Sequence, residues 1–396
     1  MVDQERPLIS IVTETFSPDI NGVAMTLGML VDQLKQQFKI QIIKPGRRTS
    51  SEAPSDITTV HVPSAPIPGY PELRFGFPAG GRILKLWQDT PPDAIYIATQ
   101  GPLGWSALKI AKRLNIPVTS GFHTNFHLYS RYYGLGWLSA LIALYLRRFH
   151  SRTRRTLAPT RQTIREIELL GIKNATLLSR GVDAQRFSPD HRSATLRAQW
   201  GAGESAPVML YVGRVAAEKN VELAISAFRR SQKEVPESRL VVVGSGPLLD
   251  KLKERNPDII FTGSLTGTPL YEHYASADIF LFPSQSDTFG NVILEAMASS
   301  LAIVSFDTAA AREHLIHSRS GMLSPEGDTD SFSRHTLSLA LQPSYARRLG
   351  HAAREKARFL DWTSIANQFS NLLMQTETEE QSHARYSDSQ RLPTRG

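Results

Sequence analysis

The 396-residue chain contains no cysteine. This excludes disulfides, thiolate metal sites, iron–sulfur clusters and cysteine nucleophiles together. Long apolar runs are missing as well. The run nearest the N-terminus, Leu8 to Val12, is too short for a signal peptide, and no stretch approaches the ~18 apolar residues that a bilayer span requires. A soluble, cytoplasmic protein is expected. A third absence is local: no acid occurs between Asp93 and Glu166, although eleven Lys and Arg residues do. What remains is ordinary globular composition, 41% apolar and 21% charged, at a length that suits two domains of roughly 150–200 residues.

The formal charge of +8 is unevenly spread: residues 1–190 hold 23 Lys and Arg against 14 Asp and Glu, and the remainder hold 22 against 23. An acid-free basic stretch calls for an anionic partner. Its core is the apolar segment Leu135–Leu146, containing Trp137 and followed by Arg147, Arg148, Arg152, Arg154 and Arg155. The segment reads as a helix too short to cross hydrocarbon. One reading lays it on an anionic membrane, with Trp137 and the five arginines as contacts, each nearby Arg adding ~1 kcal/mol. The other is a core helix with a solvated basic end. No nucleic-acid partner is expected, because no helix-turn-helix, zinc-finger or RNP pattern accompanies the arginines.

Short β-rich runs alternate with helical patterns, which predicts parallel sheets with helices on both faces. Strands are expected at Leu8–Glu14, Lys39–Lys44, Asp93–Thr99, Val118–Phe122 and Leu157–Pro159, with helices over Val23–Phe38 and Leu103–Leu114. The pattern restarts after Val182–Arg192, a hinge. Strands follow at Val208–Gly213, Arg239–Gly244, Ile259–Thr262, Asp278–Pro283 and Ala302–Phe306, separated by helices Val221–Val235, Pro247–Arg255, Leu270–Ser276 and Val292–Ser299. The expected division is 1–185 and 186–375, the last helix being free to cross back to the first domain, with a disordered polar tail over 376–396. Two doubly wound domains would present the carboxyl ends of both sheets to one cleft, where such folds bind ligands.

Several motifs fall at those strand ends. Gly244-Ser245-Gly246 follows a strand, but the third glycine of a dinucleotide fingerprint would fall on Leu249, and no P-loop is present. A dehydrogenase or P-loop enzyme is therefore not expected, although these glycines allow close backbone approach to a ring or phosphate. The strongest constellation is Pro283-Ser-Gln-Ser-Asp287-Thr-Phe289-Gly290-Asn291-Val-Ile-Leu-Glu295. A strand ends, the chain turns at Gly290, and a helix begins near Asn291, a ready anion site. Asp287 and Glu295 bracket it, and carboxylates beside an anion site suit the hydroxyls of a sugar or ribose. Arg214 and Lys219 lie just past the first strand of the second half, where two cations can clamp a diphosphate. In the first half, Asn21-Gly22-Val23 opens a helix. His123 follows a strand on the cleft side, and is read as functional, with His127 as structural.

Together these residues resemble the retaining, nucleotide-sugar-dependent glycosyltransferases of the GT-B fold, family four or group one. The resemblance runs from about Leu8 to Phe369 and is most specific in the E-x7-E motif, matched as Asp287-x7-Glu295. Supporting matches are Asn21-Gly22-Val23, Gly213-Arg214 with Lys219, and Val243–Pro247. The sequence departs from the family in carrying Asp287 for the usual first glutamate and Asn21-Gly22 for the usual Gly-Gly. The resemblance implies an α/β chain of two facing Rossmann-like, doubly wound domains with an interdomain cleft.

The same resemblance implies that Arg214 and Lys219 hold the donor diphosphate, and Glu295 the ribose. Asp287 and the backbone of Phe289, Gly290 and Asn291 would hold the transferred sugar and phosphate. Gly244, Ser245, Gly246, Ser264 and Leu265 would border the base, with Gly22 approaching the phosphates across the cleft and His123 beside the sugar. Ser-Asp-Thr-Phe-Gly-Asn-Val and Phe-His-Thr-Asn-Phe look most like the α-mannosyltransferase branch that uses GDP-mannose. The implied activity is retaining transfer of a hexose, best mannose, to a hydroxyl of a lipid, glycolipid or glycan, by a peripheral enzyme on the cytoplasmic membrane face. No cofactor or metal is expected. UDP-sugar-dependent lipid glycosylation, and a GT-B-like epimerase or phosphorylase, are the alternatives. Front-face attack and double displacement both stay open.

Overall fold

A computed structural model of the protein describes residues 6–17, 19, 21–46, 57–67, 70–123, 136–285, 287 and 289–375. The tail over 376–396 and His127 lie outside them. The first half runs β1 (Leu8–Val12), α1 (Gly22–Leu34), β2 (Lys39–Pro45), β3 (Ile57–Val62), β4 (Ser64–Ile67), β5 (Tyr70–Gly76), α2 (Gly80–Asp89), β6 (Ala94–Ile97), α3 (Pro102–Arg113), β7 (Val118–Gly121), α4 (Gly136–His150), β8 (Arg155–Ala158), α5 (Arg161–Leu169) and β9 (Ala175–Leu177). The second half runs α6 (Ala194–Gln199), β10 (Val208–Val212), α7 (Val221–Glu234), β11 (Arg239–Val243), α8 (Leu249–Arg255), β12 (Ile260–Gly263), α9 (Thr268–Ser276), β13 (Ile279–Phe282), α10 (Asn291–Ala298), β14 (Ala302–Phe306), α11 (Ala309–His314), β15 (Met322–Ser324), α12 (Thr329–Leu341), α13 (Pro343–Ala357) and α14 (Trp362–Met374).

Two parallel sheets result, ordered β3-β2-β1-β6-β7-β8-β9 and β12-β11-β10-β13-β14-β15. Their central strands are apolar on both faces. All five residues of β10 are buried, as are Ile9 through Val12 of β1, the pattern of strands covered by helices on both sides. In each sheet the strand order reverses beside the first strand, between β1 and β6 and between β10 and β13, and ligands of doubly wound folds bind outside the carboxyl ends at that switch point. The loops leaving β1, β10 and β13 carry Asn21, Lys219 and Asp287.

The antiparallel hairpin of β4 and β5 was not expected from the sequence. Helix α8 begins at Leu249, two residues later than expected, because Gly246 and Leu249 first close a turn through a backbone hydrogen bond. The C-terminal helix α14 leaves the second half and packs on the first sheet, where Phe369 meets Tyr96 edge-on with ring centroids 4.9 Å apart. No helix among the described residues is long and apolar enough to cross a membrane.

Candidate active site

Past β10 the chain makes a single 3-10 turn at Ala217–Lys219 and reverses through Asn220 in the left-handed region, at φ 54°. This brings Lys219 Nζ to 2.8 Å from Asp287 Oδ1. The other oxygen, Asp287 Oδ2, is buried without a partner. Arg214 pairs instead with Glu218 on its own loop, at 2.9 Å, and stays more than half exposed. Tyr211 supports that loop from below, its hydroxyl donating to the Arg214 carbonyl. Burial and the nearby Asp287 and Glu218 acids hold Tyr211 in its protonated form.

Helix α10 starts where the sequence places it. Gly290 adopts φ +87°, and a Cβ there would lie 2.9 Å from the Phe282 ring, so the turn requires glycine twice over. Phe289 is buried beneath the turn, and the positive end of α10 opens at Asn291. One turn further, Glu295 accepts a hydrogen bond from the Tyr274 hydroxyl at 2.7 Å. Burial pushes its carboxyl up to about 7, against the lowering effect of that bond. At the opposite rim, a Cβ on Gly244 would sit 1.9 Å from the Gly213 carbonyl oxygen, and one on Gly246 would sit 2.3 Å from that of Val215. These glycines let the loops after β10 and β11 touch. Ser264 donates to Ser245 across 2.9 Å, with Leu265 packed alongside.

From the first half, Asn21 caps α1, its side chain accepting from the amides of Val23 and Ala24 while its own amide donates to Thr15. Its side chain thus builds the helix start that carries Gly22. His123 Nε2 lies 3.0 Å from the Tyr96 hydroxyl, and Nδ1 is buried with no partner. Burial, with Arg180 and His150 nearby, pulls His123 down to about 3, so its ring is neutral near pH 7.

Arg180 joins the two halves and was missed by the sequence reading. It follows β9, donates to Asn291 Oδ1 at 2.9 Å, and stacks on the Phe289 ring. A Cβ on Gly22 would come within 3.3 Å of its Nη1. Nothing local in Leu-Leu-Ser-Arg-Gly marks it out; its position at the exit from the last strand of the first sheet is the only available signal. Through Arg180 and Lys219, the expected residues Gly22, His123, Asp287 and Asn291 gather at one junction.

The basic segment needs a correction. Arg155 is buried and donates to the Leu372 carbonyl, and Arg154 reaches the Leu372 and Leu373 carbonyls. Both cap the negative end of α14, so neither belongs to a membrane-facing surface. Arg152 stacks over Trp105. Arg147 and Arg148 are exposed, on the same helix as exposed Leu141, Leu144 and Tyr145. The Trp137 side chain lies outside the described residues.

Residues 193–356 match the family model "Glycosyl transferases group 1", and residues 20–186 match "Glycosyltransferase Family 4". A GDP-mannose-dependent alpha-mannosyltransferase of Mycolicibacterium smegmatis is 31% identical over 368 residues, 91% of this chain and 95% of that protein. The chain is a group 1 glycosyltransferase. A second relative of this glycosyltransferase, an alpha-monoglucosyldiacylglycerol synthase of Streptococcus pneumoniae, is 26% identical over 94% of this chain and 90% of its own length. The solved structure of Anabaena HepE with UDP and glucose superposes with a TM-score of 0.69 at 16% identity, covering 92% of this chain and 99% of that one. The glycosyltransferase has the GT-B fold.

Proposed function

We propose that this glycosyltransferase transfers a hexose with retention of anomeric configuration, taking mannose from GDP-mannose and passing it to a hydroxyl of a lipid, glycolipid or glycan at a membrane surface. The observation that carries this reading is the junction at Asp287. A cation and an orphaned buried oxygen, Asp287 Oδ2, meet there beside a helix start, and Arg180 links them to a second orphaned buried atom, His123 Nδ1. Each buried orphan costs about 1–3 kcal/mol, and a sugar hydroxyl, both donor and acceptor, satisfies either one. The mannose donor is supported by the M. smegmatis relative.

Residues 186–375 would then form the donor half and residues 1–185 the acceptor half. The diphosphate takes Lys219, Arg214 and the start of α10, freeing Asp287 for the sugar, while Glu295 receives the ribose hydroxyls. The base lies along Gly244–Gly246 and Ser264–Leu265. As the bond to the leaving phosphate breaks, these fixed positive groups stabilise the growing charge, each worth about 3 kcal/mol by analogy with oxyanion donors. The acceptor oxygen bonds to the anomeric carbon on the face that the diphosphate leaves, and its proton passes to the departing phosphate oxygen. The exposed Leu141, Leu144, Arg147 and Arg148 of α4 support docking on an anionic bilayer, where a lipid acceptor resides.

A melting-shift panel of GDP, UDP and ADP tests the donor. GDP is expected to stabilise most, by ~2.7 kcal/mol at 100 times its Kd. R214A and K219A are expected to stay folded and lose transfer of mannose from GDP-mannose. Full activity in either would end the diphosphate assignment.

A further inference from the structure

Arg180 is only 7% exposed. A guanidinium enclosed to that degree carries a large desolvation cost unless an anion faces it. Its hydrogen-bond partner is the neutral amide of Asn291. Asp287, the carboxylate whose charge reaches it, is held by Lys219. Its Nε is buried with no partner, and the Phe289 ring, 5.2 Å from the guanidinium carbon, fixes the plane of the fork.

The surroundings sharpen the imbalance. Asn291 opens α10 and Gly22 opens α1, and each helix start adds roughly half a positive charge. His123 is neutral beside them. A buried cation, two positive helix ends and an unfilled N–H therefore converge where the two halves of the chain meet. The single carboxylate there, Asp287, is shared with Lys219, and a bound anion with oxygens on more than one side would balance the positive charge that is left.

We propose that Arg180 is a third cationic side chain on the donor diphosphate, contributed by the segment that leaves the first half after β9 and facing the phosphate held by Arg214, Lys219 and the start of α10. This rests on the donor reading above. Nε–H and a neighbouring N–H present the side-on pair that a phosphate oxygen accepts well. The anion is then gripped from both halves, so that binding draws them together.

R180M and R180K test this, using whichever of GDP, UDP and ADP most stabilises the wild type, and the matching nucleoside monophosphate as control. R180M removes a buried charge whose one carboxylate neighbour, Asp287, is already held by Lys219, so without nucleotide it is expected to melt no lower than wild type. Its Kd for the diphosphate is expected to rise about ten- to a hundredfold, and that for the monophosphate to change less. R180K, a point charge without the fork, is expected to fall between. A lower melting temperature in R180M with wild-type diphosphate affinity would show a structural latch to Asn291 and overturn the assignment. Should R180M melt too early to titrate, R180K decides. A diphosphate affinity reduced at least about fivefold supports the ligand role, and wild-type affinity overturns it. A wild type that none of the three diphosphates stabilises defeats the donor reading itself, a result distinct from variants that bind as well as wild type.

Discussion

Lys219 and Asp287, 2.8 Å apart and each about a quarter exposed, tie the loop after β10 to the loop before α10. Their pairing makes the carboxylate a competitor for any anion that Lys219 is to hold. D287N is therefore expected to bind the nucleoside diphosphate as tightly as wild type or up to about tenfold more tightly, while transfer falls at least a hundredfold. Titration calorimetry and a transfer assay on the same preparation check both parts. Weaker diphosphate binding in D287N would mean that Asp287 holds the lysine in place for the anion instead.

With Glu295 in the proposed ribose role, nucleotide binding is expected to depend on pH. Its carboxyl is raised to about 7 from an ordinary 4.5 by burial, and only the ionised form accepts two ribose hydroxyls. Affinity is expected to rise between pH 6 and 8, by up to about tenfold, and to be flat in E295Q. The stability effect has the opposite sign. Between pH 4.5 and 7 the folded state holds the proton more tightly than the unfolded chain. The contribution is thus complete below pH 4.5 and lost as pH rises through 7. Melting temperatures of E295Q are expected to gain on wild type across that window, and a constant difference would contradict the raised value.

The arginines within and after α4 divide into two kinds. R155A removes a buried guanidinium from the end of α14 and is expected to cost about 1–3 kcal/mol of stability by denaturant unfolding. R147A/R148A touches exposed side chains and is expected to leave stability within ~0.5 kcal/mol. The same double variant is expected to weaken binding to vesicles of anionic phospholipid about thirtyfold, at ~1 kcal/mol per arginine. Vesicle binding that ignores both the double variant and salt would remove α4 from any membrane role.

Much of the fold was readable because parallel strands buried on both faces leave apolar runs that need no long-range information. All five strands expected in the second half are present, as is the turn at Gly290. The β4–β5 hairpin escaped notice because Pro66 and Pro71 interrupt its alternation. Arg154 and Arg155 read as surface charge because their partners lie more than 200 residues away, on a helix whose destination no local pattern reveals. Arg180 was invisible for the same reason: its meaning comes from Asn291 and Phe289, more than 100 residues further along the chain.

The chain passes between its halves twice, and the two passages touch. The Val182 amide donates to the Leu360 carbonyl at 2.7 Å, and a Cβ on Gly181 would collide with Trp362. Two connections pinned to each other at that point make a shared spine, and turning one half on the other about any line away from it would strain this hydrogen bond. Arg180 stands beside that spine, where a small change of angle moves a side chain least and leaves its aim intact.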